Sequence, residues 1–189
     1  MQHYPEVLVL LSGGLDSTAS ISYYRKMGYS VSALFIDYNQ NASREEYKAA
    51  KNISRYYSLE LYTGTCSGLN NWGSGLIPGR NTLLLSAALM SSKISRGIIC
   101  IGIHSGTSYY DCSLNFLSKM NEIFMNESDG KISIGAPFIE WNKRDIWDFC
   151  LASDVPISLT YSCEKGNEVP CGQCLSCRDM EVLYATCKK

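Results

Sequence analysis

The sequence has no surplus of positive charge: 17 Lys and Arg stand against 18 Asp and Glu, a formal net charge of −1 over 189 residues. That removes the electrostatic footprint by which proteins grip RNA or DNA, because such binding rests on neutralised phosphates. A small-molecule substrate fits this balance better, with no nucleic-acid partner. No apolar run is long enough to cross a bilayer, and Met1–Glu6 carries no basic stretch of the kind that opens a signal peptide. The expected location is cytoplasmic, with no membrane partner. Internal repeats, low-complexity tracts and interdomain linkers are also missing, so residues 1–189 read as a single domain. Disulfides are out of place in a reducing compartment, which leaves nine cysteines to be explained by packing or metal ligation.

What is present starts with a loop. The apolar run Val7–Leu11 breaks into Ser12-Gly13-Gly14-Leu15-Asp16-Ser17 and turns into a helix. Glycines let successive backbone N–H groups curl around one anion, and a following helix adds its positive N-terminus. The hydroxyls of Ser12 and Ser17 can donate to the same oxygens. No Lys completes a Walker motif, so this is not a P-loop. The string resembles the PP-loop of ATP pyrophosphatases, enzymes that cut ATP between its α and β phosphates. On that resemblance Leu11, Ser12, Gly13, Gly14, Leu15, Asp16, Ser17 and Thr18 are the candidate ATP-binding residues. A Gly-rich turn capped by Asp16 or Ser17 is the plainer alternative.

Strand and helix signals then alternate, which predicts an α/β fold around a mostly parallel, doubly wound sheet. Helices are expected over Thr18–Met27, from a capping box at Ser43-Arg44-Glu45-Glu46 to Tyr57, over Thr82–Ile94 (largely buried), Leu114–Met125, from an Asn142 cap to Leu151, and from Leu175 onward. Strands are expected at Val31–Ile36, Leu59–Tyr62, Ile98–Ile103 and Ile132–Ala136. Thr63–Gly79 reads as a long loop. In open parallel sheets ligands sit beyond the carboxyl ends of the strands, at the switch point. That gathers Ser12–Ser17, Asp37–Gln40 and the turn after Ile103 around one crevice.

Cys163, Cys171, Cys174 and Cys177 follow the spacing C-x7-C-x2-C-x2-C. Four thiolates supply a closed tetrahedral zinc site with no open position, which is a structural rather than a catalytic arrangement. An iron–sulfur cluster uses similar ligands. Gly172 relaxes the turn between two of the ligands. The segment 160–180 is therefore read as a small C-terminal zinc-binding element. Cys66, Cys100, Cys150 and Cys187 read as packing or solvent thiols, as does Cys112 beside Asp111.

Three features combine: the PP-loop, the string Ile77-Pro78-Gly79-Arg80-Asn81, and the cysteine cluster preceded by Thr160-Tyr161-Ser162. With Phe35-Ile36-Asp37-Tyr38-Asn39-Gln40 and Asp111-Cys112, they run in order from Leu8 to Arg178. The chain thereby resembles the 7-cyano-7-deazaguanine synthases of the queuosine pathway. The resemblance implies a HUP-type doubly wound sheet, ATP, Mg2+ and one Zn2+, and commonly a homodimer. It also implies a carbon–nitrogen ligase reaction. The carboxylate of 7-carboxy-7-deazaguanine attacks the α-phosphorus of ATP, pyrophosphate leaves, and an amine displaces AMP from the acyl-adenylate to give an amide. In a synthase a second adenylation dehydrates that amide to the nitrile.

The catalytic candidates are Asp16, Arg80 and Asp37. Asp16 would position magnesium rather than act as a base, and Arg80 would clamp phosphate or the substrate carboxylate, with a surface or capping Arg as its alternative. Asp37, Tyr38, Gln40, Arg80, Asn81 and Asp111 form the candidate substrate side. Asp37 and Gln40 would read a purine-like base edge, with a turn-forming Asp37 as the alternative.

Departures from the family concentrate on that side. Asn41-Ala42 stand where Arg-His is usual, Asn39 replaces Gly, Ser113 replaces Arg, and His104–Tyr110 is a shorter, altered segment. His104 sits where a general base would approach, although a non-catalytic, satisfied His is the plainer reading. Synthase-like proteins occur in bacterial antiviral operons, including cyclic-oligonucleotide (CBASS) systems, and resemblance to these would imply a protein amine as the acceptor. That conjugating activity is one alternative to a true synthase; a non-catalytic nucleotide-binding subunit is the other.

Overall fold

A run that is apolar at every position, such as Val7–Leu11, suits a strand covered on both faces. In the computed structural model, which describes residues 5–68, 76–91 and 93–186, that run forms the centre of a five-stranded parallel sheet. The strands are β1 (Glu6–Leu10), β2 (Ser30–Asp37), β3 (Leu61–Thr65), β4 (Gly97–Ile101) and β5 (Ile132–Gly135). The helices are α1 (Leu15–Lys26), α2 (Ser43–Tyr57), α3 (Arg80–Ser91), α4 (Leu114–Glu127), α5 (Lys143–Ala152) and α6 (Leu175–Thr186). Sheet order is β3-β2-β1-β4-β5, with Val9 opposite Ala33 on one side and Cys100 on the other. The order reverses at β1, so the crevice for a ligand opens above β1 and β4.

Strand alternation divides the core. Leu8 and Leu10 point to the face covered by α3 and α4, where Leu85, Ala88, Phe116, Met120 and Phe124 are buried with them. Val7, Val9 and Leu11 point to the other face, against Ile21 and Tyr24 of α1 and Ala49, Ala50 and Ile53 of α2. A third cluster seats α5 on the outside of α1: Ile146, Trp147 and Cys150 pack with Leu15, Ala19, Phe138 and Leu183. Burying one Ile or Leu side chain of this kind contributes about 1.5–3 kcal/mol, so α5 is firmly anchored.

Several expectations shift. The third strand lies at Leu61–Thr65 rather than Leu59–Tyr62, and Leu59 instead closes the αL end of α2 through a bond from its N–H to the Ser54 carbonyl. The capping box expected at Ser43–Glu46 does not form: Ala42 is the N-cap and no side chain caps the helix. The Glu46 carboxylate is taken instead by Gln40 Nε2, at 2.8 Å. Helix α3 is buried along one face only, through Asn81, Leu85 and Ala88, and Met90 on the other is 83% exposed. The Asn142 cap of α5 does form, as a full capping box with Asp145. Cys187 and residues 69–75 of the long loop lie outside the described residues. Among the described residues no helix is long and apolar enough to cross a membrane.

Candidate active site

Helix α1 begins at Leu15, directly after Gly14, rather than at Thr18. Leu15, Asp16, Ser17 and Thr18 are therefore its first turn; the N–H groups of Leu15, Asp16 and Ser17 are among those that a helix cannot satisfy internally, while the Thr18 N–H donates to the Gly14 carbonyl at 3.1 Å. Gly13 holds φ +81°, and a Cβ there would lie 2.7 Å from the Glu46 carbonyl and 2.8 Å from Ala49 Cβ. The loop thus lies flush against the first turn of α2. Gly13→Ala combines a positive φ with a backbone collision, and is expected to cost about 1–3 kcal/mol. A thermal melt within 1 °C of the parent would contradict this.

A cleft of about 310 Å³ opens over the loop, at the lower end of the range for small-molecule sites. Ser12, Gly14, Leu15, Asp16 and Ser17 line it, with Leu11 beneath. The Ser12 and Ser17 hydroxyls lie 3.2 Å apart, and the Gly14 N–H donates to Ser12 Oγ at 3.3 Å. Two expected loop residues face away. Gly13 packs on α2, and buried Thr18 donates its hydroxyl to the Gly14 carbonyl at 2.8 Å.

The structure adds a cation that the sequence reading missed. Lys143, the first residue of α5, places its ammonium 2.7 and 2.8 Å from the two carboxylate oxygens of Asp16. Both side chains are mostly buried, 28% and 18% exposed. The Asn142 box that starts α5 fixes where Lys143 projects. His104 Nε2 lies 3.8 Å from Asp16 Oδ2. Burial pushes its pKa below the ordinary value against the pull of Asp16, so the ring is neutral at pH 7. Its Nδ1 accepts the Gly106 N–H at 3.0 Å, which leaves the proton on Nε2, facing Asp16.

On the substrate side, Tyr38, Gln40, Arg80 and Asn81 line the cleft, together with Glu46. Gln40 is occupied by the chain itself: its Oε1 accepts the Tyr38 N–H at 2.9 Å while its Nε2 donates to Glu46. Burial raises the Glu46 pKa, partly offset by the bond from Gln40 and by the Arg80 charge. Asp37 does not line the cleft; its Oδ1 accepts the Asn39 N–H at 2.8 Å, forming a turn. Asp111 lies beneath the wall, 8% exposed, its backbone carbonyl accepting from Asn81 Nδ2 at 3.1 Å. Cys112 is buried with its thiol pKa raised by burial, the reverse of what a nucleophile requires.

The four sulfurs of Cys163, Cys171, Cys174 and Cys177 lie within 4.8 Å of one another, with Cys171 and Cys177 Sγ 3.9 Å apart. A tetrahedral centre with metal–sulfur bonds of about 2.3 Å needs sulfurs about 3.8 Å apart, so the donor set fits a metal ion. The N–H groups of Gln173 and Cys174 point at Cys171 Sγ, at 3.4 and 3.3 Å, and hold its pKa well below the ordinary thiol value. Gly172 makes this turn at φ +66°. The same segment walls the cleft: Tyr161, Ser162, Glu164, Ser176, Asp179 and Met180 line it. The Tyr161 N–H donates to the Gly13 carbonyl at 2.9 Å.

The family model described as queuosine biosynthesis protein QueC matches residues 6–76 and 69–186. A 7-cyano-7-deazaguanine synthase of Prochlorococcus marinus is 28% identical over 94% of this chain and 92% of its own length. Another from Desulfotalea psychrophila is 30% identical over 90% and 89%. Among solved structures, NMN synthetase from Francisella tularensis superposes with a TM-score of 0.59 at 16% identity, over 100% of this chain and 79% of that one. The U34-tRNA thiolase NcsA from Methanococcus maripaludis gives 0.56 at 16%, over 99% and 67%. At such identities these structures show the fold alone, the expected HUP-type sheet.

Proposed function

The chain belongs to the family of queuosine biosynthesis protein QueC, ATP-dependent enzymes of the ligase type, and on that premise we propose that it adenylates the carboxylate of 7-carboxy-7-deazaguanine. A carboxylate oxygen would attack the α-phosphorus of ATP, pyrophosphate would leave, and an amine would then displace AMP to form the amide. With ammonia as acceptor, a second ATP would carry the amide to the nitrile. The observation that carries the reading is the convergence of the free N-terminal turn of α1, the Ser12 and Ser17 hydroxyls and the Lys143 ammonium on one cleft. Such donors stabilise the charge that gathers on departing pyrophosphate. Arg80, which lines the same cleft, suits a phosphate or the substrate carboxylate.

Magnesium would supply charge neutralisation on the phosphates. Asp16 is its candidate protein ligand, once Lys143 releases the carboxylate; water and phosphate oxygens would complete the shell. We assign zinc to the four thiolates, in a structural role, and expect the chain to pair as a homodimer, as the family resemblance implies. A second reading is favoured by Asn41-Ala42 and Ser113, which remove charged groups from the acceptor side. There a protein amine takes the place of ammonia, as in antiviral conjugating systems.

Mass spectrometry of a reaction holding 7-carboxy-7-deazaguanine, ATP, magnesium and ammonium tests both. Nitrile with AMP is the expected result for a synthase. AMP with amide or a protein adduct would move the assignment to the conjugating reading, and no AMP at all would overturn adenylation of this carboxylate.

A further inference from the structure

A carboxylate in the wall of a ligand cleft needs a reason, because leaving water raises its energy unless donors meet it. Glu46 is such a group. It sits in the first turn of α2, whose backbone touches Gly13, so its carboxylate shares the cleft with the phosphate loop. Among the described residues its one side-chain hydrogen-bond partner is Gln40, and Gln40 is itself immobilised by the Tyr38 N–H on its carbonyl oxygen. That bond fixes which end of the Gln40 amide faces Glu46. A carboxylate offers roughly four acceptor positions, and a single bond from Gln40 leaves room for donors arriving from the cleft. The same cleft has an apolar lining, formed by Leu34, Ile36 and Leu84 among others. A planar ring packed on these side chains with a donor edge toward α2 would meet Glu46.

We propose that Glu46, held in place by Gln40, selects the bound base by accepting from its exocyclic amine. Gln40, expected from the sequence to read the base edge, positions the reader instead. Two bases of the proposed reaction carry an exocyclic amine. The pyrimidine ring of a deazaguanine presents an amine beside a ring N–H, two parallel donors that suit an ionised carboxylate. Adenine presents an amine beside an acceptor nitrogen, which suits the protonated form. The chemistry shared by both is amine donation to Glu46, and the deazaguanine half of the inference rests on the adenylation reading above.

The test compares binding preferences in the full-length, metal-loaded protein, measured by calorimetry. ATP is titrated against ITP, which has an oxygen in place of the amine, and 7-carboxy-7-deazaguanine against its 2-desamino counterpart. The parent is expected to prefer the amine-bearing member of at least one pair by about tenfold or more, roughly the value of one good hydrogen bond to a charged group. In Glu46→Ala, and less completely in Glu46→Gln, that preference should fall below about threefold, while circular dichroism stays that of the parent. The pair in which it falls identifies the base. Preferences unchanged in both pairs, or absent from the parent, would overturn the proposal. If the parent binds ATP and neither deazaguanine, the adenylation reading fails by itself, and the ATP–ITP comparison still decides the role of Glu46.

Discussion

Asp16→Ala is expected to reduce carboxylate-dependent ATP–pyrophosphate exchange by a factor of about 10²–10³ or more, the scale on which removal of one preorganised electrostatic group acts. Two losses coincide. The carboxylate that would place magnesium disappears, and Lys143 loses the partner that holds its ammonium 2.7 Å away at the mouth of the loop. The fold should persist. Asp16 lies in the first turn of α1 and belongs to none of the buried apolar clusters, and an acidic residue at a helix N-terminus contributes only about 0.3–1 kcal/mol. Asp16→Asn separates the two losses, since the amide keeps the shape and an oxygen for Lys143 but forfeits the charge. Exchange in Asp16→Ala at the parental rate, with a parental melting temperature, would remove Asp16 from the mechanism and leave Lys143 as the group that matters.

That pair also marks where sequence reading stopped. The loop was legible because its function is local: glycine, hydroxyl and helix start lie within six residues. The Asn142 cap was legible for the same reason, its partner Asp145 being three residues on. Lys143 is separated from Asp16 by 127 residues, and no periodicity or spacing links them; the connection exists only once α5 has packed on α1 through Ile146 and Trp147. The helix-start pattern at Ser43 misled for a related reason. A box of Ser and Glu is only a pattern until other donors compete, and Gln40 wins the Glu46 carboxylate. Asp37 and Gln40 carry the right chemistry for a base edge, but nothing in their order says whether a side chain turns toward the cleft or back to its own backbone. Both turn back.

Stripping the metal from the cysteine cluster is expected to cost more than the cluster alone. Cys163, Cys174 and Cys177 are buried together with few other apolar contacts, Tyr161 and Cys171 being the flanking ones, so four mutually close thiolates are what the metal would have to hold. Without it the sulfurs take up protons and no bond ties them together, so residues 160–175 lose the cross-link that holds them folded. Glu164 would then leave the start of α6, where its carboxylate accepts from Ser176 N–H and hydroxyl at 3.2 and 2.8 Å. Leu183 would be drawn from its packing against Leu15 and Ala19. Tyr161 would withdraw its N–H from the Gly13 carbonyl, and the PP-loop would lose a brace.

Structural zinc contributes about 10–16 kcal/mol of apparent binding energy in small domains. If only a third of that reaches this larger fold, at about 2–4 °C per kcal/mol for a chain of this size, the melting temperature drops by about 10 °C. Cys174→Ala should reproduce the effect, with less than stoichiometric metal by elemental analysis, while Cys66→Ala, outside the cluster, should not. ATP affinity should fall as well, by about tenfold for the loss of one such brace, because the loop that receives the phosphates is no longer held in advance. A metal-free protein that melts and binds ATP like the parent would show that the loop is preorganised without the cysteine segment, and that the cluster serves the C-terminal helix alone.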